Sequence, residues 1–225
     1  AGKKFKEVLN ALLNQEGVNK NDILIVDSSS NDGTSELVKD LGINIIVIPK
    51  NEFGHGKTRK MAVTISSDVD IVIFMTQDAL PYDRFAIKNI YEYLIKEDKI
   101  AAVYGRQMPY QDTDIFGKHA RLFNYSRKSY IRSISDKDTY GIKTAFFSDT
   151  FGAYKRSILE ALGSFPDVEF GDIKWDIVLK LKYTILIRSL LWKNIEDIKR
   201  LVNFIRKRVG FWRNLEKQKV KALDL

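Results

Sequence analysis

The chain has 225 residues, of which 44% are apolar and 12% aromatic, and it contains no cysteine. That composition supplies a core and excludes a disordered chain, a disulfide scaffold, a thiolate metal site and a cysteine nucleophile. The formal net charge of +8 is segregated: residues 1–172 hold 23 Lys and Arg against 24 Asp and Glu, and residues 173–225 hold 14 against 5, unlike a nucleic-acid reader, which spreads basic residues over its folded face.

In chain order, Ala1-Gly2-Lys3-Lys4 leads directly into an amphipathic stretch, so no signal peptide is expected. Phe5, Val8, Leu9, Leu12 and Leu13 recur at helical spacing. Ile23–Val26 reads as a short apolar strand, followed by the turn-rich run Asp27–Gly33. A helix from Thr34 to Leu41 precedes a second strand, Ile43–Ile48, closed by Pro49. Lys57–Ser66 reads as a helix, Asp70–Met75 as a third strand, Phe85–Lys96 as a helix and Ile100–Tyr104 as a fourth strand. Ala153–Leu159 is expected to be helical, with Lys155 and Arg156 on its solvated face. Apolar strands alternating with helices predict an α/β domain with a mostly parallel sheet covered on both faces. Ligands of such sheets bind beyond the carboxyl ends of the strands, which is where Asp27, the Asn51–Arg59 segment and Asp78 fall.

Each of these has two readings. Asp27 either belongs to a capped turn, with Asp32 or Ser30 at the helix N-cap, or accepts hydrogen bonds from a nucleotide base or ribose. Asp78, in Thr76-Gln77-Asp78-Ala79, either caps the segment before Pro81 or holds Mg²⁺ or Mn²⁺ together with substrate phosphate oxygens. In Asn51–Arg59, glycines flank His55, which is either a loop histidine packed against Phe53 or a functional group, and a helix then begins with Lys57 and Arg59 in its first turn. Cations at a helix N-terminus oppose its dipole unless an anion joins them. Asp149, between small hydroxyl residues and aromatics, is a candidate general base or equally a cap. Walker, Gly-x-Gly-x-x-Gly, His-Glu-x-x-His and Gly-x-Ser-x-Gly motifs are missing from the sequence.

Two breaks in the pattern are read as missing residues. An α/β domain normally opens on a strand, yet this chain opens on a helix, and at Phe170-Gly171-Asp172 the alternation stops without a linker. The expected division is residues 1–172 as the α/β domain and 173–225 as a basic amphipathic helical segment. In that segment Leu191, Ile195, Ile198, Val202, Ile205, Val209 and Trp212 form a stripe flanked by Lys199, Arg200, Arg206, Lys207, Arg208 and Arg213. The stripe fits packing on protein, a homo-oligomeric coiled-coil seam, or an anionic membrane surface. Its longest nearly apolar run, Tyr183–Trp192, is too short to cross a bilayer.

Ile23–Thr34 (ILIVDSSSNDGT) resembles the first nucleotide-binding segment of family-2 glycosyltransferases of the GT-A fold. Phe53–Arg59 (FGHGKTR), Thr76–Ala79 (TQDA), Tyr104–Pro109 (YGRQMP), His119–Tyr125 (HARLFNY) and Phe147–Arg156 (FSDTFGAYKR) narrow the resemblance to bacterial rhamnosyltransferases that use dTDP-L-rhamnose. The resemblance covers residues 2–170 and implies a GT-A-like, Rossmann-like fold. It implies Asp27 and Ser29 on the nucleotide, His55, Gly56 and Arg59 near ribose and diphosphate, and Gln77 beside the donor. Asp78 takes the place of the family's metal-binding Asp-x-Asp, for a divalent cation such as Mg²⁺ or Mn²⁺. The family's Glu-Asp base motif is missing as a pair here, so either Asp172 belongs to that motif or the base lies in missing residues. The implied reaction is inverting transfer of L-rhamnose from dTDP-L-rhamnose to a polysaccharide or lipid-linked glycan. The implied place is the cytoplasm, peripheral to the inner face of the bacterial cell membrane, with no nucleic acid as partner. The other readings are a GT-A transferase for another nucleotide sugar and a non-catalytic nucleotide-sugar-binding scaffold.

Overall fold

The computed structural model describes residues 2–165 apart from 97, 142, 143, 145 and 162. Asp172 and the 173–225 segment, with its membrane and oligomer readings, lie outside the described residues. The elements run α1 (Gly2–Leu13), β1 (Leu24–Asp27), α2 (Thr34–Asp40), β2 (Asn44–Val47), α3 (His55–Ile65), β3 (Ile71–Met75), α4 (Ala86–Ile95), β4 (Ala102–Tyr104), α5 (Ile115–Asn124), α6 (Lys137–Tyr140), β5 (Phe151–Lys155) and α7 (Arg156–Ala161).

β1 and β2 form a parallel pair, Leu24 opposite Asn44 and Asp27 opposite Val47. The helical spacing of Phe5 and Leu9 places both on the face of α1 that meets Val38 of α2 and Ile43, with Ile25 and Ile45 of the strands beneath them. Burying each such side chain contributes about 1.5–3 kcal/mol.

The second sheet has the order β3-β5-β4. β5 is antiparallel to both neighbours, Met75 opposite Phe151 and Tyr104 opposite Gly152. β3 and β4 therefore run the same way, and their carboxyl ends share an edge with the start of β5. Period-two alternation sends side chains to two cores. Val72, Phe74, Ala102 and Tyr154 pack with Val63 of α3, Leu159 and Phe165. Ile71, Ile73, Val103, Phe151 and Ala153 pack with Ile90 and Leu94 of α4. Helices on both faces are why β3 and β4 read as continuous apolar runs.

Two local expectations are corrected. Ala153-Tyr154-Lys155 is strand, and the helix starts at Arg156. Non-local ladders to β3 and β4 override whatever local preference Ala-Tyr-Lys-Arg has for a helix. α3 begins at His55 rather than Lys57, because Gly54 acts as its N-cap in extended conformation and its carbonyl accepts from the Thr58 amide at 2.7 Å.

The two sheets' helices are tied by a buried polar side chain. Gln15, just past α1 and 5% exposed, donates to the Asp83 carbonyl at 2.7 Å and accepts from the Ile87 amide at 3.0 Å. Ile87 lies in the first turn of α4, whose N-cap Phe85 has no side-chain acceptor to offer, so Gln15 satisfies an amide the helix leaves without a partner.

Candidate active site

Asp27 ends β1 and is buried, at 6% exposed. Its carbonyl accepts from the Ile48 amide, and its carboxylate accepts from the Ser30 amide at 3.0 Å and from the Ser30 hydroxyl. Ser29 is an exposed non-glycine residue at φ +56°, a left-handed conformation that is sparsely populated for such residues. Its hydroxyl donates to the Ile48 carbonyl at 2.8 Å, tying the turn to the end of β2. The N-cap of α2 is Gly33, at φ +78°, rather than Asp32 or Ser30; Asp32, one residue earlier, accepts from the amide and hydroxyl of Thr34. The hydrogen-bonded turn places Asp27 and Ser29 at the carboxyl end of the parallel pair.

His55 and the buried Gly56 lie in the first turn of α3, and the imidazole meets Phe53 edge-on at 5.1 Å. That first turn contains no acid. Arg59, which the earlier helix start puts past that turn, takes its counter-charge from far along the chain: its Nη1 lies 3.4 Å from Asp149 Oδ2, with side chains 14% and 5% exposed. The other Asp149 oxygen accepts from the Tyr154 hydroxyl at 2.8 Å. Burial, then the nearby Asp149 charge, pushes the Tyr154 hydroxyl well above its ordinary range, so it stays a donor. Asp149 therefore caps no helix; it anchors a cation from α3 at the head of β5.

Asp78 lies on the same edge. The Thr76 amide donates to the Thr150 carbonyl at 3.0 Å, and the Thr76 hydroxyl donates to Asp78 Oδ1 at 2.6 Å. Gln77 and Asp78 are both exposed. The Tyr110 hydroxyl donates to the Asp78 carbonyl at 2.8 Å, and Tyr110 with Leu80 helps line a cavity of about 370 Å³ beside this loop. A second cavity of about 540 Å³, bordered by Asp70, Lys155 and Arg156, opens at the opposite end of the sheet. Among the described residues no group of three or more His, Cys, Asp or Glu side chains forms a metal cage. One exposed carboxylate does fit a hard cation shared with a diphosphate, since Mg²⁺ usually takes one or two carboxylates plus phosphate oxygens.

Residues that the sequence motifs contain but to which no individual role was assigned, with Arg132 and Phe146 outside those motifs, complete the edge. Buried Ser148 accepts from Gln107 at 2.8 Å and from the Tyr125 hydroxyl at 3.1 Å. Tyr104, Tyr125, Phe146 and Phe147 form an aromatic cluster with ring centroids 5.1–6.3 Å apart. Arg132 clamps the cluster through the Tyr104 hydroxyl and the Phe146 carbonyl. Burial pushes the Tyr104 hydroxyl up to about 12, with Arg132 opposing the shift. Gln107 and Tyr125 fall inside the YGRQMP and HARLFNY motifs, which is the signal that was available for them.

The structure therefore joins Arg59, Asp149 and the Asp78 loop on one sheet edge. Asp27 and Ser29 sit on the other sheet, connected through α3, which packs on β1.

Residues 2–163 match the model of glycosyl transferase family 2. The chain is 44% identical over 168 residues to the O-antigen chain rhamnosyltransferase RfbN of Salmonella typhimurium, covering 74% of this chain and 53% of that one. It is 43% identical over 145 residues to the O-antigen chain rhamnosyltransferase WbaN of Salmonella anatum, covering 64% and 46%. The chain thus spans about half the length of these curated relatives. Among solved structures it resembles a mannosyltransferase, PcManGT, from Pyrobaculum calidifontis in complex with GDP-Man and Mn²⁺, with a TM-score of 0.56, 20% identity and coverage of 84% and 49%. It also resembles the glucosyl-3-phosphoglycerate synthase of Mycobacterium tuberculosis in complex with UDP, with a TM-score of 0.54, 14% identity and coverage of 84% and 62%. These two likenesses establish the GT-A-like α/β fold.

Proposed function

We propose, for a chain that belongs to glycosyl transferase family 2, the inverting transfer of L-rhamnose from dTDP-L-rhamnose to a hydroxyl of a polysaccharide or lipid-linked glycan. The observation that carries this reading is the meeting of Arg59, Asp149 and the Asp78 loop beside the carboxyl ends of β3 and β4. The names of the O-antigen relatives support the sugar.

In this reading Asp27 and Ser29 receive the nucleoside, and His55, Gly56 and Arg59 bring the start of α3 to the ribose and diphosphate. Helix amides and a guanidinium favour an anion there, which offsets the conflict between Lys57 in the first turn and the dipole. Gln77 lies beside the donor. Asp78 would hold the divalent cation, Mg²⁺ or Mn²⁺, which when bound neutralises charge on the departing diphosphate.

The acceptor oxygen bonds to the anomeric carbon as the carbon–oxygen bond to dTDP breaks on the opposite face, and a carboxylate takes the acceptor proton. Both Asp149 oxygens are engaged, by Tyr154 and Arg59. Asp149 therefore serves here to hold Arg59, and the base is either Asp172, nearest the family's motif, or an acid in residues missing beside it.

The test is a calorimetric titration of the chain with dTDP, UDP and GDP in the presence of Mn²⁺, together with a dTDP-release assay on dTDP-rhamnose. Preferential dTDP binding with acceptor-dependent release is expected. Tighter binding of UDP or GDP overturns the donor, and dTDP binding without turnover on any glycan acceptor supports the scaffold reading instead.

A further inference from the structure

Beside the Asp78 loop lies a hollow that none of the donor-binding residues proposed above lines, and its walls are fixed. Ala79 closes a turn by donating to the Thr76 carbonyl at 3.0 Å, and four residues further on the Asp83 carbonyl accepts from buried Gln15. Tyr110 is held from the other direction: its hydroxyl donates to the Asp78 carbonyl at 2.8 Å, and its own carbonyl accepts from the Thr113 amide at 3.1 Å. Between these segments and α1 opens the cavity of about 370 Å³, lined by Lys4, Glu7, Leu80, Tyr110, Gln111 and Asp112. That volume is at the small end of the roughly 300–1,000 Å³ of small-molecule sites, with room for a monosaccharide but not for a whole nucleotide sugar.

The lining is of two kinds. Leu80, 42% exposed, and Tyr110, 39% exposed, supply carbon. Lys4 and Glu7, three residues apart in α1, share the side of that helix away from Phe5 and Leu9, and Gln111 and Asp112 follow Tyr110 in the chain. The polar groups are thus two carboxylates, an amide and an amine. One excess negative charge excludes the diphosphate from this cavity, since like charges repel. The Lys4 ammonium lies 3.4 Å from Asp112 Oδ2 and 5.3 Å from the centroid of the Tyr110 ring. With side chains 70% and 74% exposed, that ion pair holds little energy, so both groups can turn to a ligand.

A ligand suited to such walls has carbon on one face, hydroxyls around its edge and no negative charge. We propose that the cavity receives one pyranose ring of a sugar substrate, its C–H face on Leu80 and Tyr110 and its hydroxyls on Gln111, Glu7 and Asp112. A sugar as the ligand rests on the transfer reading above. Its place rests on Tyr110, whose bond to the Asp78 carbonyl sets the cavity beside the carboxylate proposed to hold the donor's cation. The donor's own sugar and a sugar of the acceptor glycan offer the same chemistry to these walls, and the experiment separates the two.

The measurement is nuclear Overhauser contact, by NMR of the full chain with Mg²⁺, from the Leu80 methyls and the Tyr110 ring to ligand protons. The probes are dTDP, dTDP-L-rhamnose, and the methyl glycosides of glucose, mannose and galactose added with and without dTDP-L-rhamnose. Contacts from the rhamnosyl protons assign the cavity to the donor's sugar. Contacts from a methyl glycoside in the presence of dTDP-L-rhamnose, with none from the rhamnosyl protons, assign it to the acceptor. Leu80→Trp, which fills the hollow, and Gln111→Ala, at an exposed position, are each expected to weaken the contacting sugar about tenfold or more while dTDP affinity stays within about twofold. Binding of dTDP without contact from any sugar probe overturns the cavity and leaves the donor reading standing. Contacts from the deoxyribose or thymine of dTDP, or sugar affinity unchanged in both variants, also overturn it. Glycoside contacts in a chain that fails to bind dTDP support the cavity and remove the donor reading alone.

Discussion

Replacing Asp149 by Asn keeps the shape of the side chain and an acceptor for the Tyr154 hydroxyl, but leaves Arg59 without its counter-charge. The pair is 3.4 Å apart with side chains 14% and 5% exposed, and removing one partner of a buried pair costs about 3–5 kcal/mol. Arg59 keeps some support, since its guanidinium lies 5.9 Å from the Phe74 ring centroid and 6.0 Å from that of Phe165. Cation–π contacts at such distances are worth about 0.5–1 kcal/mol. The expected loss for Asp149→Asn is therefore about 2–4 kcal/mol. With a urea slope of about 2 kcal/mol per molar, the midpoint should fall by roughly 1–2 M. Urea denaturation of Asp149→Asn, Arg59→Met and the double variant closes a thermodynamic cycle. A coupling of at least about 1 kcal/mol is expected, and additivity within about 0.5 kcal/mol would refute the pairing of α3 with the head of β5.

Four further outcomes are expected. Asp78→Ala, at an exposed position, should shift the thermal midpoint little yet lower donor turnover by about 100-fold or more; parental turnover removes the metal assignment. Gln15→Leu should destabilise by about 1–3 kcal/mol and speed amide exchange at Ile87, and unchanged exchange there would rule out the cap. Gly152→Ala places a Cβ 2.7 Å from Phe147 Cε1 and 3.1 Å from the Ser148 carbonyl, so a loss of about 1–3 kcal/mol is expected from overpacking; a variant as stable as the parent contradicts that packing. Tyr104 is pushed up to about 12 by burial, so the unfolded chain releases this proton first. Its contribution to stability is full below pH 10 and is lost as pH rises from 10 towards 12. Denaturation across that range should show a smaller decline for Tyr104→Phe, and equal declines would exclude Tyr104 as the source.

Four of the five strands show in the residues, since Ile23–Val26, Ile43–Ile48, Asp70–Met75 and Ile100–Tyr104 are apolar runs apart from Asn44 and the leading Asp70. β5 does not: Phe-Gly-Ala-Tyr-Lys has no such run, and its strand state comes from ladders to residues about 50 and 80 positions earlier. The same separation hides the Arg59–Asp149 contact, which spans 90 residues. The acids and the glycine-flanked histidine stand out individually because turn and cap chemistry is local, as the Asp27–Ser30 turn illustrates. α5 is passed over in a reading of periodicity for a physical reason: its apolar spacing is helical, but the stripe does not report a core.

The order in which the second sheet fills has a consequence for biosynthesis. Its middle strand is the last to leave the ribosome, so a nascent chain that has not reached Phe151 carries β3 and β4 as two separate ribbons with unpaired inner edges. Such edges are templates for pairing with other molecules. Truncations ending ahead of residue 151 should accumulate as aggregates, whereas those that extend past Lys155 carry the strand that closes the gap.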